Sequence, residues 1–304
     1  MTGTLSIPRI AALLAICISV IAPGLVTLVD EYLLVAALLL GLPHGAIDDY
    51  VEASMSGERR GRLTFYAVYL GSIALMGALW WLSPLFALTG FLLLAGFHFG
   101  EADTQALPVS VSARYLLTLS RALVVIALPL LVWPDQTWPN VAMLLGTDVP
   151  VAPLWLPSLI APLLALHFTL YGLFTADVPE ALWDTALLSA LFLFGTPSLS
   201  LAVYFGLWHS MRHLGVLRDT LGWPSVNLVL HRAAPLTVAS VFGLLALIGG
   251  MLWMGHVATL LVILLLLISG LTLPHALLTH QLLRQNRPPV KPHASRASGQ
   301  ALSI

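Results

Sequence analysis

Four short motifs place histidines in an otherwise apolar chain, three of them beside glycine, proline or carboxylate residues and one as a pair. His44 stands in Gly-Leu-Pro-His-Gly-Ala-Ile-Asp-Asp, and His98 stands in Phe-His-Phe-Gly-Glu-Ala-Asp. His209 and His213 share the motif Trp-His-Ser-Met-Arg-His, and His275 stands in Leu-Pro-His-Ala-Leu-Leu-Thr-His. Because imidazole nitrogen binds iron, copper, zinc and nickel, these motifs indicate a metal site.

The pair His209 and His213 carries the strongest signal for metal binding. Residues at i and i+4 share one helix face and lie about 6 Å apart along the axis, so both can reach one ion. His44 and His98, on other helices, complete a predicted set of four nitrogen ligands. Cys17 is the single cysteine, which excludes a four-thiolate zinc site and an iron–sulfur cluster.

Carboxylates follow two of these histidines at helical spacing. Asp48 comes four residues after His44, and Glu101 comes three residues after His98. Metal-bound imidazoles usually donate their second N–H to such a carboxylate, a carbonyl or water, so each carboxylate is expected to orient its own histidine. His275 fits three roles, as a ligand, as a supporting residue or as a packing residue. Two alternatives stay open for the carboxylates. Asp48 or Glu101 could bind the metal directly, or the acidic residues of these motifs, Asp48, Asp49, Glu52, Glu101 and Asp103, mark the water interface and pair with arginines.

The remaining five histidines carry no such signal. His167, His256 and His280 have no acidic residue close in sequence, whereas His231 is expected in a loop and His293 in the C-terminal tail. We therefore expect all five to tolerate replacement by alanine with activity largely kept.

The composition shows what kind of protein must position these histidines. Hydrophobic residues make up 59% of the 304 residues and charged residues only 9%, whereas soluble domains average about 25% charged residues. The mean hydropathy is +0.93. Thirteen basic residues against fourteen acidic residues leave no field that attracts polyanions. Soluble globular enzymes, disordered proteins and nucleic-acid binders are therefore excluded, and a multi-spanning membrane protein is indicated.

Apolar runs long enough to cross a bilayer predict an all-α polytopic bundle of about ten transmembrane helices. They lie near Ile7–Val29, Tyr32–Val51, Leu63–Leu82, Pro84–Phe99, Ala113–Trp133, Leu154–Thr175, Ala181–Gly195, Ser198–Leu214, Pro235–Trp253 and His256–Thr279. We expect residues 1–284 to form a single transmembrane catalytic domain. Residues 285–304, with their prolines, are expected to form a disordered cytoplasmic tail.

Basic residues predict the orientation of these spans, because cytoplasmic loops are enriched in Lys and Arg. With ten spans, every basic residue lies on or near one side, and the loop Trp133–Pro153 on the other side has none. The basic residues are Arg9, Arg59, Arg60, Arg62, Arg114, Arg121, Arg212, Arg218, Arg232, Arg284, Arg287, Lys291 and Arg296. Both termini are therefore expected in the cytoplasm. All four histidine motifs then end even-numbered spans, which predicts one shared site at one depth in the cytoplasmic half of the membrane.

Together the motifs resemble the Brp/Blh family of bacterial and archaeal β-carotene 15,15′-cleaving oxygenases. The resemblance rests on the motifs around His44, His98, His209 with His213, and Pro274–His275, and it covers most of the chain from the second span to the tenth. It implies O₂-dependent central cleavage of β-carotene into two retinal molecules. It also implies that the iron ligands are His44, His98, His209 and His213.

The resemblance further implies the cofactor, the partners and the location. The expected cofactor is non-haem Fe(II), and the expected substrates are β-carotene and O₂. The expected surroundings are the lipid bilayer of the cytoplasmic membrane, with no nucleic acid. A functional link to a retinal-binding rhodopsin follows from the product.

Other classes of membrane protein use histidines too. A histidine-box desaturase or hydroxylase also uses His-x-x-x-His, but such enzymes need more closely spaced histidines than the one pair here. A membrane haem electron carrier would use paired axial histidines. A transporter would need polar residues in the outer half of the membrane, where few occur. A retinal-binding photoreceptor is disfavoured because the only lysine, Lys291, lies in the tail.

Overall fold

Proline residues divide the apolar chain into helices in the computed structural model, which describes residues 6–56, 62–148, 153–255 and 258–285. Pro23, Pro84, Pro134, Pro179 and Pro197 each stand at the start of a helix, where the missing N–H has no helical partner to lose. The helices are α1 (Ile7–Ile21), α2 (Pro23–Gly41), α3 (Asp48–Ser56), α4 (Arg62–Leu82), α5 (Pro84–Thr104), α6 (Val111–Val132), α7 (Pro134–Leu145), α8 (Ile160–Thr175), α9 (Pro179–Phe194), α10 (Pro197–Leu201), α11 (Ser210–Thr220), α12 (Val226–Trp253) and α13 (Leu260–Gln285).

Three shorter elements complete the described secondary structure. Single turns of 3₁₀-helix cover Leu42–His44 and Leu156–Leu159. A π-helix covers Ala202–His209 and joins α10 to α11 without a break. All the regular structure in the described residues is therefore helical, and the prediction of an all-α membrane bundle is confirmed.

The number of membrane-crossing helices differs from the prediction of about ten. Within the described residues, seven helical segments are long and apolar enough to cross a bilayer, or eight if the bent pair at the N-terminus forms one span. The seven are Tyr32–Ser56, Leu63–Leu82, Pro84–Thr104, Val111–Val132, Leu156–Thr175, Val226–Trp253 and Leu260–Gln285.

Each of the other predicted spans departs from a simple apolar helix. The first, Ile7–Val29, is bent by 117° between α1 and α2. Helix α9, which corresponds to Ala181–Gly195, has only 16 residues. The segment Ser198–Leu214 is one continuous helical run, but its histidines and Arg212 lower its hydropathy. The structure buries both histidines, so these two polar side chains weaken the apolar signal because they face the bundle interior.

Close helix contacts hold the centre of the bundle together. Helix α5 packs along α6, where Gly100 lies against the backbone carbonyl of Thr118, and a Cβ at Gly100 would overlap that oxygen. The π-helix packs on α2, where Gly206 lies against the backbone of Ala37. Two histidine-bearing elements, α5 and the π-helix, are thereby seated by glycines that no larger residue could replace without movement.

Helices α4 and α12 form the outside of the bundle on one flank. Both pack against α13. Only 6% of the apolar stretch of α4, and none of that of α12, is buried inside the protein. In a bilayer these two helices would therefore contact lipid over much of their surface.

Candidate metal centre

Five separate elements bring five imidazoles into one buried cluster. His44 is the last residue of the 3₁₀ turn, His98 lies on α5, His209 ends the π-helix, His213 lies on α11 and His275 lies on α13. Each of the five is at most 6% exposed. Contacting ring pairs among them have centroids 4.9–6.2 Å apart. The four predicted ligands are thus brought together, and His275 joins them.

Ring nitrogens converge inside this cluster. His44, His98 and His275 each offer a nitrogen, and these three atoms all lie within 4.8 Å of one another. The Nε2 atoms of His98 and His209 are 3.2 Å apart. Nitrogens from separate helices that point at one small volume form an arrangement that a single metal ion can bridge.

The π-helix shapes the surroundings of His209. Isolated π-helical turns inside α-helices are frequent at functional sites. Here the Ser210 hydroxyl, just after the π-helix, donates to the Phe205 carbonyl at 2.5 Å. The rings of His209 and His213 are nearly parallel, with an angle of 6° between their planes and 6.0 Å between their centroids, as expected for side chains one helical turn apart on one face.

Hydrogen bonds fix which nitrogen of His44 faces the cluster. Its Nδ1 contacts the Gly41 carbonyl, and Ser210 Oγ lies 3.2 Å from the same nitrogen. A carbonyl oxygen only accepts hydrogen bonds, so Nδ1 carries the proton and donates it. The Nε2 lone pair of His44 is therefore free for a metal.

A carboxylate orients the imidazole of His275 in the same way. Its Nδ1 lies 3.0 and 3.1 Å from the two Asp48 carboxylate oxygens, and the Tyr69 hydroxyl donates to Asp48 at 3.0 Å. The carboxylate accepts from Nδ1–H, which leaves Nε2 as the acceptor atom. That Nε2 is buried and has no hydrogen-bond partner in the described part of the chain. A buried, unpaired acceptor is costly, and a bound cation at this point would remove the cost. The residues therefore fit a metal ion.

The expected pairing of each carboxylate with its neighbouring histidine is wrong. Asp48 contacts His275 instead of His44, and Glu101 contacts His280 at 2.8 Å instead of His98. Helical spacing does not apply between His44 and Asp48, because a 3₁₀ turn ends at His44 and α3 begins only at Asp48. For Glu101, the nearer base is supplied by α13, which packs against α5.

The other histidines divide into three cases. His280 was expected to tolerate replacement by alanine, but it contacts Glu101. His167 is fully buried, and Ser120 Oγ lies 2.6 Å from its Nδ1. His231 is exposed within α12 instead of lying in a loop. His256, His293 and the predicted tail from 286 onward lie outside the described residues.

A buried ion pair supports one side of the cluster. Asp103 lies 3.6 Å from Arg121 and accepts a hydrogen bond from the Tyr204 hydroxyl at 3.2 Å. The Tyr204 ring contacts Phe99, and Phe99 contacts the ring of His209, with centroids 5.3 and 4.8 Å apart. The sequence left Asp103 open between a residue at the water interface and a residue at the site. Its burial follows from the packing of α5 against α6 and the π-helix.

An apolar cavity of about 640 Å³ opens from the imidazoles. Its polar lining at this end comes from His44, His98, His275 and Asp48. Elsewhere the walls are mostly apolar and come largely from α4, α12 and α13, including Phe65, Tyr69, Ile73, Met76, Trp80, Leu236, Ala239, Gly243, Leu247, Leu267 and Leu271. The site therefore combines a nitrogen-lined end with a pocket suited to a hydrocarbon.

Comparison with known families gives this site its context. The family model described as β-carotene 15,15′-dioxygenase matches residues 35–283, which include all five clustered histidines. The chain belongs to the β-carotene 15,15′-dioxygenase family. The resemblance inferred from the motifs and the assignment to an enzyme class are both confirmed by this match.

Two curated relatives show how far the similarity extends. The chain is 28% identical over 291 residues to a probable β-carotene 15,15′-dioxygenase Blh of Halobacterium salinarum, covering 80% of this chain and 81% of that protein. It is 38% identical over 84 residues to a β-carotene 15,15′-dioxygenase of uncultured marine bacterium 66A03, covering 27% of this chain and 30% of that protein. No solved structure matches the chain significantly.

Proposed function

We propose that this protein cleaves β-carotene at its central 15,15′ double bond with O₂ to give two retinal molecules, at a non-haem iron held by the imidazole cluster. One observation carries the proposal. In a member of this family, buried imidazole nitrogens from separate helices converge at the end of an apolar cavity. The cavity suits a hydrocarbon, and the nitrogens suit a redox metal.

The ligand set we propose is His44, His98, His209 and His213, with His275 as a fifth imidazole in reach. The support for adding His275 is its unpartnered Nε2 and the carboxylate behind its Nδ1. A histidine backed by a carboxylate in this way is the usual form of a metal-bound imidazole. Because Cys17 is exposed and lies outside the cluster, thiolate ligation plays no part in the proposal.

The chemistry divides between the ion and the chain. Bound Fe(II) would supply the electron transfer that O₂ activation requires. The atoms balance without another reactant, because breaking the whole C15=C15′ double bond and the O–O bond, with one oxygen atom going to each carbon, converts β-carotene and O₂ into two aldehydes. The chain's part is to keep the His275 proton on Nδ1 through Asp48 and to hold the polyene in the apolar cavity away from water.

We further propose that residues 1–284 act as one catalytic domain in the cytoplasmic membrane, followed by a cytoplasmic tail over 285–304. The helical segments that could cross a bilayer support the membrane location. Retinal released into the same membrane would be available to a retinal-binding rhodopsin.

The decisive experiment is expression in a host that accumulates β-carotene, followed by extraction and chromatography of the pigments. We expect the orange colour to fade and retinal to accumulate. The matched control is His231→Ala, which changes an exposed histidine outside the cavity, and it should behave like the unaltered protein. Intact β-carotene in cells whose membranes contain the protein with bound iron would contradict the proposal. So would full activity of a preparation that carries zinc alone.

A further inference from the structure

The cavity is open along one side, between α4 and α12. Both helices pack against α13, but they have almost no contact with each other. Residues of both helices line the cavity, with α13 as its floor. The opening therefore lies on the flank where the apolar stretches of α4 and α12 have almost no fully buried residues, which in a bilayer is a lipid-facing flank.

Two glycines mark the rims of this opening. Gly77 on α4 and Gly243 on α12 both line the cavity, and both are exposed. A Cβ built at either position would meet no atom within 4 Å. Neither glycine is therefore needed for close helix packing, and in the structure the absence of a side chain at each leaves the opening clear.

One face of α4 forms a continuous wall from the imidazoles outward. Tyr69, Ile73, Met76 and Trp80 recur every three or four residues and all line the cavity. The Tyr69 end touches the site through its hydrogen bond to Asp48. The far end is Trp80, whose Nε1–H donates to Ser269 Oγ at 2.8 Å, so its ring presents an apolar surface to the cavity. At about 1.5 Å per residue, Tyr69 and Trp80 are ~16 Å apart along the helix.

This length matches one half of the proposed substrate. Nine bonds separate the central carbon of β-carotene from its terminal ring. An extended chain advances ~1.1–1.2 Å per bond, as the extended backbone does over the three bonds of each residue, so the half-chain spans ~10–11 Å before the ring. The remaining length along α4 leaves room for the ring beside Trp80.

We propose that the opening between α4 and α12 is a lateral portal through which the polyene enters from the bilayer, and that one half of the molecule lies along α4 with its ring against Trp80. The inference rests on the proposed function and adds the route and the orientation. In this proposal the cavity binds a long hydrocarbon that enters from the lipid. The support is the continuity of the cavity with the imidazoles at one end and with the lipid-facing opening at the side.

The test narrows the portal without touching the metal site. Gly77→Leu and Gly243→Leu place a branched side chain in the opening, and the matched controls are Gly71→Leu on α4 and Gly249→Leu on α12. Both control glycines are exposed, lie outside the cavity lining and also have no atom within 4 Å of a built Cβ. We expect retinal formation to fall about tenfold or more in the two portal variants. The controls should be unchanged, and membrane level and bound iron should be equal in all five proteins.

A binding measurement separates the portal from the proposed activity. In a His98→Ala background, where no turnover is expected, protein purified from β-carotene-containing membranes should retain orange pigment, and adding Gly77→Leu should abolish that retention while adding Gly71→Leu should not. If the unaltered protein makes no retinal, the proposed function fails, but the pigment comparison still decides the portal.

Three results would overturn the portal. One is retinal formation at the wild-type rate by both portal variants. Another is retention of phospholipid in place of pigment in all the purified proteins. The third is a change of oligomeric state confined to the portal variants, which would identify the opening as a surface where another helix docks.

Discussion

At the scale of single residues, the contact between Asp48 and His275 is the feature that most changes the expected site. We predict that Asp48→Asn lowers iron content or retinal formation by about 10–100-fold, because a neutral amide holds the Nδ1 proton of His275 less firmly. Tyr69→Phe, which removes one donor to Asp48, should cost less. Iron analysis of purified protein and initial rates of retinal formation measure both effects.

Replacement of His275 itself tests directly whether this residue binds the metal. We expect His275→Ala to remove bound iron as completely as His44→Ala does, because its Nε2 is buried and unpartnered among the other imidazoles. All these variants should remain in the membrane at normal levels. Iron content close to normal in His275→Ala would instead reduce His275 to a residue that only orients its neighbours.

The pair of Glu101 and His280 leads to a prediction that the sequence alone opposed. Because Glu101 is buried and contacts the half-exposed His280, removing the imidazole takes a partner from a buried carboxylate. We expect His280→Ala to lower activity measurably, by several-fold, whereas His231→Ala leaves it unchanged. Equal rates in the two variants would restore the original expectation that His280 has no role.

Residue types were therefore predictable from the sequence to a greater degree than residue pairings. His44, His98 and His275 stood in motifs with glycine, proline or a carboxylate, His209 and His213 formed a pair at helical spacing, and the structure brings all five together. The partners of Asp48 and Glu101 were not predictable, because both lie on α13 more than 170 positions away. Spacing along one helix carries no information about which helix packs beside it.

At the scale of elements, the seating of α5 against α6 controls the position of His98. We predict that Gly100→Ala destabilises the protein by about 1–3 kcal/mol, because the new Cβ meets the Thr118 backbone, which cannot move aside as a flexible side chain would. Iron content should fall as well, since His98 lies two residues away. Gly90→Ala on the same helix, where a Cβ meets nothing within 4 Å, is the control. Thermal unfolding in detergent, with iron analysis, tests the pair, and equal stability of the two variants would refute the argument.

Elements were predictable where an apolar run coincided with one straight helix, as in Leu63–Leu82, which the structure reproduces as a candidate span. Elements were not predictable where a helix is irregular or bent. The π-helix over Ala202–His209 has no apolar signature that separates it from an α-helix. Polar residues in and after it lower the hydropathy of the segment, although the helical run is largely buried. The bend of 117° after α1 falls where Pro23 begins the next helix, within an apolar run that has no other break.

At the scale of the whole molecule, contacts between helix ends divide the bundle into two faces. Glu101 near the end of α5 contacts His280 near the end of α13, so these two helices end at the same face. At the start of α13, the Thr259 hydroxyl donates to the Asn140 side chain of α7 at 2.7 Å, so α7 lies at the opposite face. The helix α7 belongs to the predicted loop without basic residues, and the end of α13 carries Arg284.

These two faces lead to a prediction about orientation. The face with Arg284 should be cytoplasmic, because basic residues are retained on that side, and α7 should face outward. A reporter that is active only outside the cytoplasm should therefore work when fused after Asp148, and one that is active only inside should work after the last residue, Ile304. A reporter at the N-terminus then distinguishes the number of crossings. Seven spans place it opposite the C-terminus, whereas eight or ten place both termini in the cytoplasm, as the distribution of arginines predicts. Reporters at Asp148 and Ile304 that respond on the same side would show that α13 does not cross the membrane, and they would remove the basis for a histidine cluster at one depth.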